Sequence, residues 1–132
     1  MLKVSASRFV LDASALLALI NQEAGSERVA AVISTACMSA VNSAEVVSKL
    51  MDKGFSETEI RDMFRALSLP IVPFDEEQCF ISGLLRTETK NLGLSLADRA
   101  CLSLAIQQKL SVLTADRVWA SLPLGLDIQL IR

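Results

Sequence analysis

Three carboxylates in this chain stand where a strand-like run gives way to a helix-like one, and a fourth stands in the first turn of a later helix. Asp12 directly follows the apolar run FVL, and Glu45 lies one turn beyond MSAV. Asp98 is the third residue beyond Ser95, which opens a helical pattern, and Asp116 comes just after SVLT. The chain has no histidine. That excludes serine and cysteine triads, His-paired ribonuclease chemistry and His-ligated zinc. Any reaction must therefore be carried by carboxylates, hydroxyls, Lys or Arg. Four inward-facing acids would repel one another and resist ionisation unless a cation neutralised them. An all-oxygen donor set without His or Cys suits Mg²⁺ or Mn²⁺. Two such ions about 3.5–4 Å apart can clamp the attacking and leaving oxygens of a phosphodiester displacement.

Each acid also has a plainer explanation. Acids are favoured at helix N-termini, where they cap free backbone N–H groups, and Asp12 and Asp116 are placed to do this. Helical geometry distinguishes the other two. At roughly 100° per residue, Asp98 shares its face with Cys101, Leu102 and Ala105, while the polar stripe runs through Arg99, Ser103 and Gln107. Asp98 is thus expected to point off a solvated stripe towards apolar surface, which suits a metal ligand better than a plain cap. Glu45 shares its face with Ser48, Lys49 and Asp52, so an exposed Glu45–Lys49 pair is its alternative.

The elements that must hold these acids alternate. Strands are expected at residues 8–11, 38–41, 71–74, 111–114 and 127–131. Helices are expected at 13–22, 26–35, 43–53, 57–67, 76–90 and 96–109. Asn42-x-x-Glu45, Ser56-x-x-Glu59 and Ser95-x-x-Asp98 read as helix starts. Alternating strands and helices predict an α/β domain with a mainly parallel sheet and right-handed crossovers. Ligands then bind beyond the carboxyl ends of the strands, at the switch point of the topology. No repeat, linker or low-complexity stretch interrupts residues 1–132, so a single domain is expected.

Composition narrows the function further. Of the 132 residues 52% are apolar and 21% charged, which supports a real core. No run approaches the roughly 20 apolar residues of a membrane span, and no signal peptide is evident, so a cytoplasmic protein is expected. Cys37, Cys79 and Cys101, odd in number and far apart, suit reduced, buried thiols. A net charge of −2 argues against broad non-specific nucleic-acid binding, and with one Trp and no Tyr a stacking platform for bases is not expected. Contact with nucleic acid should be local and directed at the backbone.

Through FVLDASALLALI, SAVNSAEVVSKL, LGLSLADRACLSLA and LTADRVW, which span nearly the whole chain, the sequence resembles PIN domains. More narrowly it is similar to the VapC-type toxins of toxin–antitoxin pairs. The resemblance implies a Rossmann-like sheet of about five strands in the order 3-2-1-4-5, with helices on both faces. It implies a metal-dependent endoribonuclease that cleaves RNA at Asp12, Glu45, Asp98 and Asp116. Thr114, Ser14 and Asn42 match polar residues near the acids. A homodimer and a cognate antitoxin partner are implied as well. Arg99 and Arg117, each following an acid, are candidate phosphate contacts or ordinary exposed charges. The amphipathic segment 56–67 packs on the core or offers a groove to a partner helix.

Other readings fit less well. An aspartyl-nucleophile phosphatase would carry a second Asp where Ser14 stands. A receiver domain would need paired acids at the first strand and a Lys after the last. Dinucleotide binding would need a Gly-rich turn. A PIN-like module that binds RNA or a partner with little catalysis is the remaining alternative.

Overall fold

The computed structural model describes residues 7–132. Five parallel strands form one sheet in the order β3-β2-β1-β4-β5: β1 (Phe9–Leu11), β2 (Ala36–Ser39), β3 (Ile71–Val72), β4 (Ser111–Thr114) and β5 (Ile128–Leu130). Every pairing is parallel, with Val10 beside Cys37 on one flank and Val112 on the other. The expected strand order is therefore the observed one. The helices are α1 (Ala13–Ile20), α2 (Ser26–Val32), α3 (Ala40–Asp52), α4 (Glu57–Leu67), α5 (Glu76–Leu84), α6 (Arg86–Thr89) and α7 (Leu96–Gln108).

Alternation along the buried strands divides the core in two. Leu11, Met38 and Leu113 face one side, where they meet Leu16 of α1, Val29 of α2, Val46 and Leu50 of α3 and Ile60 of α4. Val10, Cys37 and Val112 face the other, against Cys101, Leu102, Leu104 and Ala105 of α7 and the buried Trp119. Both faces are covered, as a parallel sheet requires. Gly25, at φ +92°, closes the turn into α2 against the chain's end, and a Cβ there would lie 2.5 Å from the Ile131 carbonyl oxygen. Only glycine fits both constraints.

Several elements depart from their expected bounds. The second strand is Ala36–Ser39 and not 38–41, and α3 begins at Ala40, capped by the Ser39 hydroxyl. Asn42 therefore lies inside the helix and does not start it. The expected helix 26–35 ends at Val32 and tightens into a 3-10 turn, which lets the chain enter β2 two residues sooner. The third strand shortens to Ile71–Val72 ahead of Pro73. The expected helix 76–90 breaks near Leu85 into α5 and α6. The starts at Ser56 and Ser95 are full capping boxes. Of the cysteines, Cys37 and Cys101 are buried, but Cys79 is exposed on α5, contrary to expectation.

Candidate active site

The sheet's topology reverses between β1 and β4, and the cleft opens over that point. Asp12 leaves the end of β1, while Thr114 and Asp116 leave the end of β4. The first turn of α3 follows β2 directly and so lies over the same edge. Because α7 leads into parallel β4, it runs against the strands, and its first turn also sits over their carboxyl ends. Asp12, Ser14, Asn42, Glu45, Asp98 and Asp116 thus line a single cleft of about 350 Å³.

Asp12 is the best-anchored member, with only 5% of its surface exposed. One carboxylate oxygen accepts from the Ser14 hydroxyl at 2.7 Å and from the Ala15 N–H at 2.8 Å. The other accepts from the Thr114 hydroxyl at 2.6 Å. Thr114 Oγ1 accepts in turn from the Asp116 N–H at 3.0 Å, and Ser14 Oγ accepts from the Ala115 N–H at 2.9 Å. These bonds tie the end of β1 to the end of β4. Burial pushes the Asp12 carboxyl up to about 6 despite the hydroxyl and N–H donors that favour its ionised form, and the charge of Asp98 adds to the rise.

The other acids are held differently. Half-buried Asp98 closes a capping box: Oδ2 accepts from the Ser95 N–H at 3.0 Å, and its own N–H donates to Ser95 Oγ at 3.1 Å. The expectation that Asp98 is poorly placed for capping is corrected by this geometry, since the residue both caps α7 and lines the cleft. The polar stripe of α7 is not solvated either. Ser103 is buried, Arg99 Nη1 donates to the Ser82 carbonyl at 2.9 Å, and Gln107 binds Asp75 and Gln78. That stripe packs on α5, a tertiary contact that helical periodicity alone does not reveal.

Asp116 is exposed and caps a 3-10 turn by accepting from the Val118 N–H. Half-buried Glu45 caps nothing, and the Glu45–Lys49 ion pair is absent: the ion pairs among the described residues are Arg61–Glu57, Arg65–Asp62 and Arg132–Glu23. Asn42 is buried, and its Nδ2 donates to the Ala97 carbonyl at 3.0 Å, joining the first turns of α3 and α7. Its Oδ1 is buried without a partner.

Neither Arg99 nor Arg117 lines the cleft. The basic residues that do are Lys49, Lys53 and Arg132, of which the sequence reading named only Lys49, as an exposed partner for Glu45. The spacing of Lys49 and Lys53, four and eight residues beyond Glu45, was the available signal.

Whether the site suits a divalent cation can be tested on its donors. Among the described residues no group of three or more Cys, Asp or Glu side chains is already gathered to hold an ion. The donors converging on the cleft are nonetheless all oxygen, and burial makes the Asp12 charge costly without a counter-charge. Mg²⁺ keeps several waters and needs only one or two carboxylates, so an open acidic cleft fits it without a closed cage.

A parallel 3-2-1-4-5 sheet with acids gathered over its switch point defines the class, and the PIN domain family model matches residues 9–123. The chain belongs to the PIN domain family. Among solved structures it is similar to a DNA-bound VapBC from Salmonella typhimurium, at TM-score 0.75 and 20% identity over 96% of this chain and 99% of that one. A toxin–antitoxin complex from Klebsiella pneumoniae gives TM-score 0.73 and 20% identity, covering 93% and 97% of the two chains. VapBC-5 of Mycobacterium tuberculosis, a member of the VapBC family of toxin–antitoxin systems, gives 0.61 and 22%, covering 96% and 98%. No curated protein sequence matches the chain. Among the described residues no helix is long and apolar enough to cross a membrane.

Proposed function

We propose that this PIN domain is a Mg²⁺- or Mn²⁺-dependent endoribonuclease that serves as the toxin of a cytoplasmic toxin–antitoxin pair. The observation that carries the nuclease reading is the convergence of Asp12, Glu45, Asp98 and Asp116 on one cleft in a chain without histidine. When bound there, the metal would lower the pKa of a water and polarise a phosphodiester. The chain's own contribution is positional. Ser14 and Thr114 fix both oxygens of Asp12, so that carboxylate enters the reaction already oriented. Asn42 sets the spacing between Glu45 and Asp98 by holding α3 to the first turn of α7.

The toxin reading, with a cognate antitoxin partner, is supported by the likeness to VapBC and toxin–antitoxin structures, while a homodimeric assembly rests on the family resemblance of the sequence. Incubation of the purified chain with RNA tests the nuclease reading. Cleavage should require Mn²⁺ or Mg²⁺, stop with chelator and be lost in Asp98→Asn. RNA cut equally well by Asp98→Asn overturns the assignment. Millimolar Mn²⁺ should also raise the melting temperature, reversibly with chelator. A chain that binds RNA without cutting it under any metal would instead be the PIN-like binding module.

A further inference from the structure

The cleft is electrically lopsided. Asp12, Glu45, Asp98 and Asp116 line it over the strand ends, while Lys49 and Lys53 stand on the wall formed by α3. Glu45, Lys49 and Lys53 follow one another at four-residue steps, so they share one stripe. At 1.5 Å per residue the two lysines stand about 6 Å and about 12 Å along the helix axis from Glu45. Both are exposed, and neither belongs to any ion pair among the described residues. The wall opposite also carries a cation, Arg132, but Glu23 and the Ala24 carbonyl already engage its guanidinium. Asp52, the other acid near the end of α3, does not line the cleft. Among the described residues that line the cleft, Lys49 and Lys53 are therefore the cations outside any ion pair, and both stand on the α3 side.

A molecule of net charge −2 attracts nucleic acid weakly as a whole, so its affinity for a polyanion must come from such a local array. Two lysines on flexible stems act as point charges that follow phosphates without reading bases. We propose that the α3 wall is a phosphate track: Lys49 and Lys53 hold the backbone of single-stranded RNA running outward from the scissile bond on one side. Rapid cleavage then requires at least two further nucleotides on that side. This rests on the ribonuclease reading and adds to it a direction and a minimum length of substrate.

The test compares the wild-type chain with Lys49→Gln/Lys53→Gln in Mn²⁺, once the cleaved linkage has been mapped. The RNAs are the minimal dinucleotide at that linkage and the same dinucleotide extended by three nucleotides on its 5′ side alone or its 3′ side alone. Only one extension should speed cleavage by the wild-type chain, and the double variant should lose that advantage. Its KM should rise about tenfold on that RNA with kcat within twofold, and the loss on the dinucleotide should be several times smaller. The salt dependence of binding should weaken by about 1.4 in log–log slope, the loss of two single-strand phosphate contacts. Arg86→Gln/Lys90→Gln removes the same charge outside the cleft and should match wild type. Equal loss on all RNAs, or on none, overturns the track while leaving the nuclease reading intact. RNA left uncut by the wild-type chain overturns both.

Discussion

The two walls of the cleft are built on different terms. On the β1–β4 side Asp12 is buried, and hydroxyls and backbone N–H groups occupy both its oxygens. On the α3 side Glu45 caps no helix and Lys49 enters no ion pair. The first wall is assembled during folding and bears a cost in stability for holding a charge out of water. The second is solvated, and its side chains are free to meet whatever enters. A preorganised acid and an adaptable one thus face each other across a single site, and substitutions should separate the two.

The largest effect should be on activity, where both walls respond alike. Asp12→Asn and Glu45→Gln should each lower RNA cleavage by about a hundredfold or more, the several kcal/mol attributed to metal-assisted charge stabilisation. A Glu45→Gln protein with wild-type rates would remove the α3 wall from the active site.

Stability should then divide them. Asp12 is raised from 3.8 to about 6 in the folded chain. The unfolded chain therefore ionises first, so stability falls as pH rises from about 4 to about 6 and stays lowered above that range. A shift of this size corresponds to about 3 kcal/mol as an upper bound. Asn caps a helix as well as Asp does. In chelator at pH 7.5, denaturant melts of Asp12→Asn should therefore show a gain of about 1–3 kcal/mol that vanishes near pH 3.5. A gain that persists at low pH would mean the charge is not its source.

Smaller effects concern the joint between the walls. Asn42→Ala deletes the bond to the Ala97 carbonyl and should cost about 1–2 kcal/mol, with a loss of rate as Glu45 shifts relative to Asp98. Ser39→Ala removes the true cap of α3 and should cost about 1 kcal/mol by the same melts. The smallest change should be the stability of Glu45→Gln, within about 0.5 kcal/mol of wild type.

The acids were legible as candidates because strand-then-acid-then-helix is a local pattern that three of them follow, whereas the strand order was implied only by the family resemblance. What was not legible depends on neighbours distant in sequence. The Ala36-Cys37 pair has little intrinsic strand preference and joins the sheet because Phe9 and Val10 lie beside it. Arg99 read as solvated until α5 was seen packed across it. Asp98 looked ill-suited to capping because periodicity describes a helix's sides and not its open first turn. Lys49 was read only as a partner for Glu45 and Lys53 was not read as a site residue, because their significance depends on Leu17 of α1 and on Arg132, which line the cleft with them.

Because Asp12 and Asp116 cap the elements that follow them and Asp98 closes the capping box of its own helix, selection for folding alone would preserve all three in a lineage without catalysis. Glu45 has no such second employment. Loss of catalysis during evolution should therefore be written first at position 45, which makes the acid with the least support from helical geometry the most informative one to read across relatives.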